Sequence, residues 1–316
     1  MEQGWAGLRR RWGNRLAARA CRSAPAARGF ASMPEPRTVG FFAKGRQLAQ
    51  GNFLLAGHMV ETLTPWQVEA PSQGFAAELH GMAWLDHLAA AGDRGARLAA
   101  QGWVSDWITR FGMGEGPGWV PDLTGRRVLR WLHHAVFLTA GREAAENQPF
   151  FAALGRQTAF LARRWQAAAP GLPRFEALTG LLYAATTLTG MEGHRDAASA
   201  ALARACGDDI LGDGGLASRN PEDLLEVFTL LTWALAALRQ AGAPVPAPLQ
   251  SALGRIAPCL RALRHADGGL ARFHGGGRGV EGRLEHALAA AEVPVRPNRS
   301  SAMGFARLEG GRTTLI

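Results

Sequence analysis

From Phe75 onward, apolar residues recur three and four positions apart, and Gly or Pro interrupts the pattern at fairly regular intervals. This spacing predicts helices over 75–91, 94–111, 122–140, 146–168, 173–190, 194–206, 221–241 and 247–265. Pro121-Asp122 and Asn220-Pro221 read as helix starts, and Gly141, Gly171, Gly190, Gly207 and Gly242 as stops. Upstream, the pattern predicts a helix over 39–50, then one extended pass from Phe53 to Val60. Downstream, glycines at 268, 269, 275, 276, 277 and 279 mark a polar loop, followed by a short helix over 281–291. From Ser301 to Ile316, apolar and polar residues alternate about Glu309-Gly-Gly-Arg312, which predicts a β-hairpin.

One stretch nearly repeats. Asp213-Gly-Gly-Leu-Ala-Ser-Arg-Asn220 returns 54 residues later as Asp267-Gly-Gly-Leu-Ala-Arg-Phe-His274. Each copy follows a long apolar helix, and two helical segments lie between them. Such a self-match is the signature of repeating helical hairpins whose equivalent loops return to one rim. A train of short-looped antiparallel helices with a repeat of this length predicts a mainly α fold, an (α/α) toroid. Arg219, Asn220, Arg272 and His274, each just past its turn, are then expected to face a shared mouth.

At 47% hydrophobic and 19% charged, the 316 residues can bury a large core. No run of eighteen apolar residues marks a membrane span. The net charge of +9 is unevenly placed: residues 1–46 carry nine Arg and Lys44 against Glu2 and Glu35, while the rest holds 25 Arg and 24 acids. The body is therefore near neutral, and with no recognition-helix pattern beside the basic tail no nucleic-acid partner is expected. Residues 1–36 read as a basic N-terminal segment without a secretory apolar region. Trp5, Leu8, Trp12 and Leu16 at helical spacing make it a transit-type or membrane-surface helix, or a leading helix docked on the body. Cys21, Cys206 and Cys259 are too scattered for a disulfide framework or a zinc site and are expected to pack as small apolar residues.

Several motifs together carry a resemblance: His80-Gly-Met-Ala-Trp84, Trp119-Val-Pro-Asp122, the Asp213–Pro221 loop, Arg264-His-Ala-Asp267 and the closing Gly304-Phe-Ala-Arg-Leu-Glu-Gly-Gly-Arg312. Over about 38–316 the chain resembles the heparinase II/III-like proteins. The resemblance implies a helical toroid over 37–296 and, over 297–316, the first hairpin of a β-sandwich, so that the chain looks truncated and the sandwich is encoded separately. It further implies β-elimination on an acidic, uronate-containing polysaccharide and a bacterial cell-envelope or periplasmic setting. No cofactor is expected, and no metal, since His80 and His87 share a helix face with no third ligand in view.

β-Elimination at a uronate needs a donor to neutralise the carboxylate, a base for the C5 proton and an acid for the leaving oxygen. Asn220 lies where the family's Asn or His is expected, but Asn-Pro-Glu-Asp equally reads as a helix cap. Arg219 has no such local explanation and is expected to contact a sugar acid. Tyr183, the sole tyrosine, sits on an apolar helix face, which leaves His274 to move protons. His265, Arg272, Arg174 and Trp119 complete the expected substrate contacts. Two other readings stay open: a non-catalytic polysaccharide-binding toroid or fragment, and a six-hairpin glycoside hydrolase using Asp213 and Asp267.

Overall fold

A computed structural model describes residues 2–33, 35–294, 301–310 and 313–316. Gly311 and Arg312 of the expected hairpin turn, the expected 296/297 boundary and Pro34 lie outside them. The described residues form thirteen α-helices and three two-stranded antiparallel sheets. The helices are α1 (Glu2–Ala20), α2 (Phe42–Ala49), α3 (Gln73–Gly81), α4 (Leu85–Ala91), α5 (Arg94–Phe111), α6 (Pro121–His133) and α7 (Ala135–Thr139). They continue with α8 (Ala144–Arg164), α9 (Leu172–Thr187), α10 (Arg195–Asp208), α11 (Pro221–Gln240), α12 (Ala247–Ala262) and α13 (Arg283–Ala291). Two compact units result: Met1–Ala168 with Gly180–Arg195, and Ala169–Thr179 with Asp196–Ile316.

In the first unit, two expected helices are each broken in two, for local reasons. The 75–91 segment stops at Met82, whose left-handed φ of 57° ends α3 and lets the Trp84 indole donate to the Leu79 carbonyl at 2.9 Å. The 122–140 segment breaks at His134, whose Nε2 lies 2.8 Å from Asp86 Oδ1. The expected single pass from Phe53 is instead a hairpin, β1 (Asn52–Leu55) and β2 (His58–Glu61), with Leu55 opposite His58. Its two turn residues, Ala56 and Gly57, have φ of 47° and 78°, the left-handed pair a tight hairpin requires.

The core of this unit is aromatic: Trp84, Trp107 and Trp131 are wholly buried, and Trp107 packs edge-on to Trp131. Arg127 is buried within it, over the Trp107 ring at 4.0 Å, donating to Gln157 Oε1 at 2.7 Å and to the His80 carbonyl at 2.9 Å. Burial alone brings its guanidinium down to about 9, so it stays charged at neutral pH. Gly180 meets Gly125 so closely that an added Cβ would stand 2.5 Å from the Gly125 Cα, which sets the crossing of α9 on α6.

The leading helix has one packed and one open face. One face of α1 docks: Ala18 and Asn14 are buried, Arg164 donates to Asn14 Oδ1 at 3.0 Å, and just beyond the helix Arg163 donates to Cys21 Sγ at 3.0 Å. The other face leaves Trp5, Leu8, Trp12 and Leu16 exposed.

In the second unit, α11 and α12 present nearly continuous buried faces, among them Leu224, Phe228, Leu231, Leu253 and Ile256. Cys206 and Cys259 are buried, like Cys21, and all three are free thiols. The expected single hairpin near the end is two small ladders. Ser301–Ala302 (β3) pairs with Phe305–Ala306 (β4), and Leu308–Gly310 (β5) with Thr313–Leu315 (β6). The reversal between the first two is made by Met303 and Gly304, with φ of 52° and 75°.

Candidate functional site

The repeated sequence makes a repeated corner, bond for bond. Asp213 Oδ1 accepts from Gly215 N at 2.9 Å, and Asp267 Oδ1 from Gly269 N at 2.9 Å. Gly214 and Gly268 take φ of 87° and 83°. A bridge joins Ile210 to Leu216 in one corner and Arg264 to Leu270 in the other. These are Asx turns closed by short bridges, and Asp-Gly-Gly is what they require.

The corners differ in what the second aspartate oxygen meets. Asp213 Oδ2 accepts from Met303 N at 3.0 Å, which pins the terminal segment onto the first corner. Asp267 faces Arg278 at 3.5 Å, and the Gly269 amide first, then Arg278, hold its carboxyl below the usual range. A glycosidase acid needs its pKa raised, so Asp267 is suited to the turn and not to protonating a leaving oxygen.

Arg219, Asn220 and His274 are brought together. The Arg219 guanidinium lies over the Phe305 ring at 4.4 Å and donates from Nε to the Met303 carbonyl at 2.9 Å. The His274 ring centre is 6.1 Å from that of Phe305, and Phe273 stacks on Phe305 at 4.0 Å. Asn220 lies against the second corner: a Cβ at Gly276 would stand 2.2 Å from its Oδ1. Glu222, two residues on, accepts from Gly277 N at 2.6 Å. Arg219 and His274 both adopt left-handed backbone, φ 51° and 49°, a conformation that costs a non-glycine residue of order 1 kcal/mol and concentrates at functional sites.

Asn220 caps α11. Its Oδ1 accepts from the amides of Glu222 at 2.9 Å and Asp223 at 3.3 Å. Both oxygen lone pairs are thereby engaged, which fixes the side chain and leaves the amide nitrogen as its donating end. Capping and donation to a carboxylate are therefore compatible in one geometry.

His265 and Arg272 sit together elsewhere in the same unit, lining a cavity of about 300 Å³ with Asp267 and Arg278. Arg278 was not singled out by sequence reasoning because it stands alone in a glycine run. Phe305, equally missed, lies in the Gly304-Phe-Ala motif that the family resemblance had flagged.

Two expected contacts are not part of this rim. Arg174 pairs with Asp209 at 2.9 and 3.1 Å, closing the start of α9 onto the residue just beyond α10. Trp119 belongs to the first unit, 4% exposed, stacked on Trp107 and edge-on to Phe160, with its indole donating to the Phe111 carbonyl. It also lines a cavity of that unit. Tyr183 also lies in the first unit, buried against His133 with ring centres 4.9 Å apart, and burial pushes its hydroxyl up.

The fold is shared with polysaccharide lyases. A heparan sulfate lyase, HepC from Pedobacter heparinus, superposes with a TM-score of 0.57 over 83% of this chain and 47% of its own, at 15% identity. Heparinase III superposes with a TM-score of 0.52 over 67% of this chain and 34% of its own, at 14% identity. At these identities the likeness shows the fold, the mainly α class predicted from the sequence. In sequence, FtsZ-localized protein C of Caulobacter vibrioides is 34% identical over 300 residues, 92% of this chain and 51% of that protein. The chain thus spans about half the length of the curated relative it matches. No known protein-family profile matches it.

Proposed function

We propose that this chain is a lyase-fold protein whose second unit holds an acidic saccharide, with the carboxylates received at the corner rim. The observation that carries this is the convergence of Arg219 and His274 on Phe305, with Asn220 against Gly276 and His265, Arg272 and Arg278 at the second corner. The rim offers guanidinium and amide donors, which suit a carboxylate. Its acids, Asp213 and Asp267, are occupied in making turns. Cleavage by β-elimination is the finer form of this reading. It rests on His274 as the base beside an Asn220 that neutralises the carboxylate, with no tyrosine in this unit to share the proton work.

Incubation with a panel of uronate polymers separates binding from cleavage, because elimination leaves an unsaturated uronate that absorbs in the ultraviolet. Binding without new absorbance is the expected result for this chain alone. Paired substitutions read the two roles of Asn220. Asn220→Ala should lower stability by about 1 kcal/mol and weaken uronate binding. Asn220→Asp keeps the cap but replaces a donor by a negative charge, and should weaken binding with little change in melting. Unchanged binding in both variants would leave Asn220 as a cap only.

A second reading, a role beside FtsZ at the division site, is favoured by the relative named for that localisation. The exposed Trp5, Leu8, Trp12 and Leu16 face of α1, among arginines, fits attachment to an anionic membrane surface. A fluorescent fusion should then gather at midcell with FtsZ, and Trp5→Glu with Trp12→Glu should disperse it. A fusion spread evenly through the cell would remove this reading and leave the saccharide rim untouched.

A further inference from the structure

A second cavity lies away from the two corners. It is formed within the first unit, has a volume of about 680 Å³, and is bounded by α1, by α3 and by the 114–123 segment. That volume is in the range of a small-molecule site. Arg11, Arg15 and Arg19 line one wall. Spaced four residues apart on one helix, they set guanidiniums at roughly 6 Å intervals along the cavity.

Among the described residues these three cations have no acidic partner. Glu115, the acid in the lining, is already paired with Arg22 at 2.8 Å. Asn14, also in the lining, is held by Arg164. The opposite wall is apolar: Ala76, Ala77, Val120 and Leu123.

The wall is held in place by the fold. Gly114, φ 90°, passes so close to α1 that an added Cβ would stand 2.8 Å from the Ala18 backbone. Arg22 donates to the Met113 carbonyl at 2.7 Å and ties the same loop down. Three unpaired guanidiniums on one side and an apolar floor on the other match an ester of phosphate on a compact organic body. Phosphate takes several guanidiniums at once, which a single carboxylate does not.

We infer that this cavity is a binding site for a phosphate ester, independent of the saccharide rim. Two sources share that chemistry, a soluble nucleotide or sugar phosphate and the glycerophosphate head of a lipid. Calorimetric titration of the full chain with ATP and with glycerol 3-phosphate distinguishes them, since each represents one source.

One of the two should bind, and Arg11→Ala with Arg15→Ala should weaken it at least about tenfold. Arg9→Ala with Arg10→Ala, on the same helix but outside the cavity, should change it less than about twofold. Equal weakening by both pairs would mean attraction to net charge and would overturn the inference. So would the absence of binding by either compound. All four arginines are exposed, and circular dichroism with melting confirms that the variants fold.

Discussion

Lowering the pH from about 7 to about 5 is expected to cost the fold about 2 kcal/mol through His80, with a further loss in the same direction through His133, both buried neutral. His80 is brought down from 6.5 to about 3, first by burial and then by the nearby Arg127 charge. Its Nδ1 accepts from the Trp107 indole at 3.1 Å, so that nitrogen must stay unprotonated. His133 is lowered well below its ordinary value, chiefly by burial and then by His134 and Arg130. The folded pKa values lie below the unfolded ones, so the stability is intact above about 6.5. It is lost as pH falls toward the folded values, because only the unfolded chain takes up the protons. His80 contributes about 2 kcal/mol of loss at pH 5, and His133 adds to it in the same direction. Urea unfolding across this range checks it, and His80→Gln should flatten much of the slope. A stability constant from pH 7 to pH 5 would contradict the burial of both rings.

The second large effect is expected at the first corner. Gly214→Ala should destabilise the protein by about 3 kcal/mol or more, and Gly268→Ala by only about 1–2. Both glycines have φ near 85°, so both substitutions carry the left-handed strain. At Gly214 the new Cβ would also stand 2.1 Å from the Arg255 carbonyl of α12, which is backbone and cannot yield. At Gly268 the nearest atom is the tip of the Arg264 guanidinium at 3.2 Å, which can swing away. Thermal melts of the two variants give the comparison. Equal losses would mean that the corners, alike in sequence, are also alike in what packs behind them.

Much of this was legible before the structure, because the relevant signals are short-range. The Asp-Gly-Gly-Leu-Ala repeat dictates an Asx turn with a left-handed glycine wherever it occurs, and both copies form it. The long helices follow from apolar spacing, and their ends fall within a few residues of the Gly and Pro marks. What was hidden depends on side-chain partners that apolar spacing does not report. Nothing in the spacing near Met82 or His134 signals a break, since each is set by what the freed groups meet: Leu79 from Trp84, and the distant Asp86 from His134. The β1–β2 turn was masked because Ala56 is an unusual residue for a left-handed position.

At the site, the corner arginine, asparagine and histidine were readable from the repeat. Phe305 was not, because its place against Arg219 and Phe273 depends on the terminal segment folding back over 80 residues onto Asp213. The partners of Arg174 and Trp119 were hidden for a common reason. A polar or aromatic residue at a helix start gives no sign of the ion pair or ring stack that will occupy it.

Calorimetric titration of a uronate oligosaccharide into the wild-type chain and into Arg272→Ala with His274→Ala tests the rim directly. Both side chains are exposed, so the variant keeps the fold while losing two of the groups that face the ligand. Saturable binding to the wild type, weakened about tenfold or more in the variant, is the predicted result. Identical binding curves for the two proteins, or none for either, would contradict it.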